Sequence, residues 1–90
     1  MVPDFVLEHI VANVTIRYFA ALREQAQLSG EERELTVQTA GELFAQLNEQ
    51  HNFSLTADQI KVAINQEYQP MDHKLQVGDE IVFIPPVSGG

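Results

Sequence analysis

The chain contains no cysteine. Disulfides, thiolate metal sites and a cysteine nucleophile are therefore excluded, and any sulfur it handles must sit on another group. Basic residues are scarce: 5 Lys and Arg stand against 13 Asp and Glu, a formal net charge of -8. A surface of that sign repels nucleic-acid phosphates instead of releasing their counterions. It also disfavours anionic membranes and favours partners with a basic face. The opening residues lack a cationic segment, carry Asp4 and Glu8, and include no apolar run of transmembrane length. No export signal is read, and a cytoplasmic location is expected.

Reactive side chains are equally sparse. His9, His51 and His73 have no metal-ligand spacing and read as surface or turn residues, so no metal site is expected. Ser29-Gly30 and Gly78-Asp79 are isolated turn glycines, not a phosphate-cradling loop. Ser88 has no base placed to activate it, and Asp72-His73 reads as a turn with a local hydrogen bond rather than an acid–base pair. The chain is not expected to be an enzyme by itself, nor to hold a permanent cofactor.

What is present is enough for one small globular domain: 44% hydrophobic and 20% charged residues in a chain of 90. Residues 1–13 form a leader with Phe5, Val6, Leu7, Ile10 and Val11 but no clear period. They are expected to be dispensable, either mobile or docked on the sheet. Val14 to Phe19 alternates, placing Val14, Ile16 and Tyr18 on one face and Thr15, Arg17 and Phe19 on the other, which is a strand. Ala20 to Ala26 is a short helix. Glu31-Glu32-Arg33-Glu34 reads as a solvated turn, and a second strand is expected near Arg33 to Val37 with Leu35 and Val37 inward. Thr39 and Glu42 have capping-box spacing ahead of an apolar stripe of Ala40, Leu43, Phe44 and Leu47, predicting a longer helix ending near Gln50 to Asn52. Three strands come next, at Lys61 to Asn65, Glu67 to Gln69 and Glu80 to Ile84. This order predicts an α+β domain over residues 14–84, with a sheet of about five strands wrapped on one long helix.

The last six residues, Pro85-Pro86-Val87-Ser88-Gly89-Gly90, form an extended tail. The prolines end the apolar run and stiffen the chain beyond it, while the two glycines can enter a channel closed to any side chain. Such an end suits delivery of a carboxylate into another protein's active site; the bland alternative is a frayed tail without function. A carboxylate resists nucleophiles until its oxygen becomes a leaving group, as in an acyl-adenylate. Attack by sulfur on the Gly90 carbonyl would then expel AMP and leave a thiocarboxylate. No internal thiol exists to intercept the activated carbonyl.

Several stretches carry a resemblance in their order and spacing: Val14 to Glu24 (V-T-I-R-Y-F-A-A-L-R-E), Ala63-Ile64-Asn65-Gln66, Asp72-His73 with Leu75, Gly78-Asp79-Glu80-Ile81, and Phe83 to Gly90. Together they resemble the sulfur-carrier subunits of molybdopterin synthase, the MoaD family of β-grasp, ubiquitin-like proteins. The resemblance covers residues 14–90 and leaves the leader without a counterpart. It implies that an E1-like adenylyltransferase uses ATP to adenylate Gly90, and that a sulfur donor protein converts it to a thiocarboxylate. The tail then enters the synthase large subunit, in a heterotetramer, and gives sulfur to cyclic pyranopterin monophosphate. It also implies partner contacts at Phe19, Tyr68 and Ile84 and along Pro85, Pro86, Val87 and Ser88, with Gly89 beside the reacting end. Tyr68 replaces the family's usual aliphatic residue. Sulfur carriers for thiamine or tRNA thiolation, ubiquitin-like protein modifiers, and a plain binding module remain alternatives.

Overall fold

The computed structural model describes residues 13–86, so the leader through Ala12 and the tail from Val87 lie outside the described residues. The chain runs β1 (Asn13–Tyr18), α1 (Ala20–Ala26), β2 (Gly30–Glu34), α2 (Ala40–His51), a 3-10 turn (Ala57–Gln59), β3 (Lys61–Ile64), β4 (Glu67–Gln69) and β5 (Glu80–Ile84). β1 thus begins at Asn13, inside the segment the sequence assigns to the leader. The strands form one mixed sheet in the order β2-β1-β5-β3-β4. Only the central β1–β5 pair is parallel, with Tyr18 opposite Phe83; the other pairs are antiparallel. With α2 laid across one face, this is the α+β arrangement expected from the element order and the β-grasp fold that the resemblance implies.

Alternation along the strands sets the core. Val14, Ile16 and Tyr18 of β1, Ile81 and Phe83 of β5, and Val62 and Ile64 of β3 all face α2 and are buried. The helix meets them with its whole predicted stripe of Ala40, Leu43, Phe44 and Leu47. Phe44 lies 5.2 Å from Phe83 and stacks on Phe53 at 5.7 Å, centroid to centroid. The capping box forms as its spacing predicts: the Glu42 N–H donates to Thr39 Oγ1, and the Glu42 carboxylate accepts from the Thr39 N–H. The backbone donors at Gln38 and Thr39 hold the Glu42 carboxyl below the usual carboxylate range.

β2 corrects two expectations. The acidic run at Glu31 to Glu34 is a strand and not a solvated turn, whereas Leu35 and Val37 come after the strand and pack partly against the core. Pairing with β1 in the register Ile16 to Glu31 and Val14 to Arg33 decides this, because it makes β2 an edge strand where charge is tolerated. Gly30 is likewise a strand residue rather than a turn glycine: a Cβ there would stand 2.6 Å from the Ile16 carbonyl oxygen. Glu31, pointed inward, accepts from the Tyr18 hydroxyl at 2.6 Å and lies 2.9 Å from His51 Nε2. His51 is therefore not a surface histidine; its ring packs edge-on against Tyr18.

Asn65 and Asp79 bind β5's entry to the β3–β4 hairpin. Asn65 Nδ2 donates to Asp79 Oδ1 at 2.9 Å, Asn65 Oδ1 accepts from the Glu80 N–H, and Asp79 Oδ2 accepts from the Gln76 N–H. Asn65 and Gln66 both have positive φ, the geometry of a tight hairpin turn. Gly78, at φ +88, is the turn glycine expected. Asp72-His73 is a turn too, closed by the His73 N–H to the Pro70 carbonyl at 3.0 Å. The motif residues Asn65, Gln66, Gly78 and Asp79 are thus architecture.

Candidate partner-docking site at the root of the tail

β1 and β5 run parallel side by side, so their C-terminal ends lie at the same edge of the sheet. Phe19 comes after Tyr18 there, and Ile84 after Phe83. Phe19 is not the last strand residue, as its alternation predicts, but the extended N-cap of α1. The next residue, Ala20, has φ +51, a left-handed conformation unusual for alanine. This sharp turn sends the chain into α1, whose Leu22 enters the core, and leaves Phe19 48% exposed.

The face opposite α2 carries Thr15 and Arg17 of β1, Val82 and Ile84 of β5, Lys61 and Ala63 of β3, and Tyr68 of β4. The registers place Arg17, Val82, Ala63 and Tyr68 in one row across four strands. At a strand spacing of about 4.8 Å, that row spans about 14 Å. Tyr68 is 71% exposed at its far end, and Ile84 is half-buried near the other. Arg17 Nε donates to Glu80 Oε2 at 2.7 Å, so the row's own cation is already paired. The fold brings Phe19 and Ile84 to one end of the sheet, while Tyr68 stands in the Arg17 row on the outer strand β4, on the same open face as Ile84. Phe19 and Tyr68 are exposed aromatic side chains, the kind of apolar surface that a partner can cover.

Beyond Ile84 the chain passes through Pro85, which is buried, to Pro86, which is exposed. These two prolines and Ile84 form one wall of a groove of about 660 Å³, whose other wall is Phe19, Ala20 and Leu55. Val87, Ser88, Gly89 and Gly90 lie outside the described residues, but the tail starts from this groove. Among the described residues no cluster of three metal-ligating side chains occurs, and no helix is long and apolar enough to cross a membrane.

Residues 16–90 match the ThiS family. The chain belongs to that family. Similar proteins include one named molybdopterin synthase sulfur carrier subunit in Haemophilus influenzae, 32% identical over 80 residues, a match covering 86% of this chain and 99% of the relative. A protein of the same name in Mycobacterium tuberculosis is 35% identical over 81 residues, with 86% of this chain and 96% of the relative covered. Among solved structures, SAMP1 from Haloferax volcanii superposes with a TM-score of 0.72 at 26% identity, covering 87% of this chain and 99% of that one.

The ThiS-family match begins two residues after Val14 and reaches Gly90, so it includes both the Phe19 corner and the Gly-Gly end. The sequence singles out Phe19, Ile84, Pro85 and Pro86, but not the groove's remaining walls. Ala20 and Glu24 fall in the Val14 to Glu24 stretch that carries the resemblance, which gives them no partner role, and no local pattern marks Leu55, from the segment after α2. Lys61 escapes sequence reasoning on the same ground: only the register sets it beside Ile84.

Proposed function

We propose that this chain is a cytoplasmic sulfur carrier in molybdopterin synthesis. Its reacting group is the Gly90 carboxylate. The observation that carries the reading is the name shared by relatives at 32% and 35% identity, matched over nearly their whole length. The site's geometry supports it: a stiff tail root emerges beside an exposed apolar surface that a partner can grip.

In the chemistry we propose, a Gly90 carboxylate oxygen attacks the α-phosphorus of ATP in an E1-like enzyme, and pyrophosphate leaves. Sulfide-level sulfur (HS⁻) released by the sulfur donor then attacks the carbonyl carbon, AMP leaves with the bonding pair, the S–H proton goes to solvent, and a thiocarboxylate remains. In the synthase large subunit the thiocarboxylate sulfur attacks a carbon of cyclic pyranopterin monophosphate, and an oxygen substituent leaves that carbon with its bonding pair. Water then cleaves the acyl C–S bond, which leaves the sulfur on the pterin and restores the Gly90 carboxylate. The chain supplies no acid or base; it positions one end. Docking through Phe19, Ile84 and Tyr68 turns delivery of that end into an intramolecular event, a gain governed by orientation.

Deleting Gly90, or adding one residue after it, should abolish molybdopterin formation in a reconstituted assay while leaving circular dichroism and melting unchanged. A Gly90-deleted chain that still supports the reaction would sink the carrier reading. If the intact chain acquires the thiocarboxylate mass but supplies sulfur only to thiamine or tRNA synthesis, the pathway is a different one. Recovery of the chain in amide linkage to target lysines would instead favour the modifier reading.

A further inference from the structure

A second groove, of about 600 Å³, lies where β3 begins and the edge strand β4 ends, lined by Ile60, Lys61 and Val62 on one side and Tyr68, Gln69, Pro70 and Met71 on the other. Lys61 links it to the open face, because its register partner is Ile84, at the root of the tail. The two grooves therefore flank the tail root, one beside Phe19 and one beside Tyr68. The ion pairs among the described residues join Arg17 to Glu80, and Arg33 and His51 to Glu31; none includes Lys61. In a chain of net charge -8, the exposed Lys61 ammonium, with Ile84 as its register partner and Tyr68 in the same groove, therefore forms no ion pair among the described residues.

Any partner that covers Ile84 and Tyr68 also covers Lys61. Removing an ammonium from water without a compensating group offsets the gain from the apolar contacts around it. We infer that Lys61 is a specificity-determining anchor that takes a carboxylate of the synthase large subunit, while the β4-edge groove receives an apolar side chain beside it. The inference rests on the sulfur-carrier reading above. It runs against the chain's overall charge, which favours basic partners; at this point the fit is to a local acid. Such reversed polarity discriminates between partners, because one presenting a lysine there meets like charge.

The test is calorimetric binding of the purified large subunit to the full chain and to Lys61→Glu, Lys61→Met, Lys74→Glu and Phe19→Asp variants. Lys61 is exposed, so its variants should keep the wild-type melting temperature. Lys61→Glu should weaken binding by tenfold or more and Lys61→Met by several-fold, in line with truncation of a covered charge pair. Lys74→Glu makes the same change in net charge away from both grooves, and should stay within about twofold. Equal losses for Lys61→Glu and Lys74→Glu would reduce the effect to net charge and overturn the anchor. So would full affinity in Lys61→Met, which would mean that the ammonium turns out to solvent. Phe19→Asp checks the underlying interface separately: if it binds normally, the docking surface itself is misassigned, whatever Lys61 does.

Discussion

At the scale of single residues, the polar groups in the core's margin have defined roles. Tyr18 runs through the sheet's inner face, and its hydroxyl ends on Glu31 at 2.6 Å. Burial, and then that hydrogen bond to a carboxylate, raise the phenol's pKa well above its ordinary range, so it stays a donor. For Glu31, burial alone would raise the carboxyl. The hydrogen bonds from Tyr18 and His51 and the nearby charges of His51 and Arg33 outweigh it, and the pKa falls below the usual 4.5. A depressed carboxylate adds stability that is present above its unfolded pKa and is lost as pH falls through the folded one. Glu31→Gln should therefore lower stability by about 1 kcal/mol near neutral pH, given the group's partial exposure. The gap in melting temperature between variant and wild type should close as pH falls below about 4.5, where wild-type Glu31 also protonates. A gap that stays constant down to pH 3 would show that packing, and not the charge, carries the effect.

At the scale of elements, α2 and β2 differ most in how far their sequences reveal them. α2 announces itself through the Thr39–Glu42 box and a four-residue apolar stripe, both local, and its observed span matches. β2 has no such signature, since Glu31 to Glu34 has the composition of a loop. Only the ladder with β1 and the Tyr18–Glu31–His51 contacts make a strand of it. Gly30 supports that ladder by leaving room for the Ile16 carbonyl. Because a backbone oxygen 2.6 Å from a new Cβ can relieve the clash only by moving β1, Gly30→Ala should destabilise the chain by about 1–3 kcal/mol. Urea unfolding of the variant measures this. Wild-type stability would mean that the β1–β2 pair is looser than its register implies. The same distortion would pass along β1 to the Phe19 corner.

At the scale of the whole molecule, the two central parallel strands decide which residues meet at one end of the sheet. They bring the Phe19 corner and the tail root out at one edge, while α2 closes the opposite face. Since residues 13–86 contain all five strands and the helix they wrap, removing residues 1–12 should leave the fold intact, with a melting temperature within a few degrees of the full chain. Large-subunit affinity measured on the same pair of proteins reports on any docking of the leader. Tighter binding after removal would mean that the leader covers the interface and must leave first. Loss of folding would show that those residues belong to the core, against the expectation from their lack of period.

The sequence by itself determined the α+β class, the long helix and its cap, and four of the five strands. Each of these rests on short-range periodicity or on spacings a few residues long. It also marked the Pro-Pro and Gly-Gly end as the chemically distinctive feature of a chain otherwise poor in reactive groups. The tertiary structure alone decided that an acidic run is an edge strand, that His51 is a core-margin residue, and that Asn65 and Asp79 bind two turns together. It likewise decided that Lys61 sits beside Ile84. These depend on pairing register and on contacts between segments far apart in the chain, where a side chain's role is set by what the fold places opposite it and not by its neighbours in sequence.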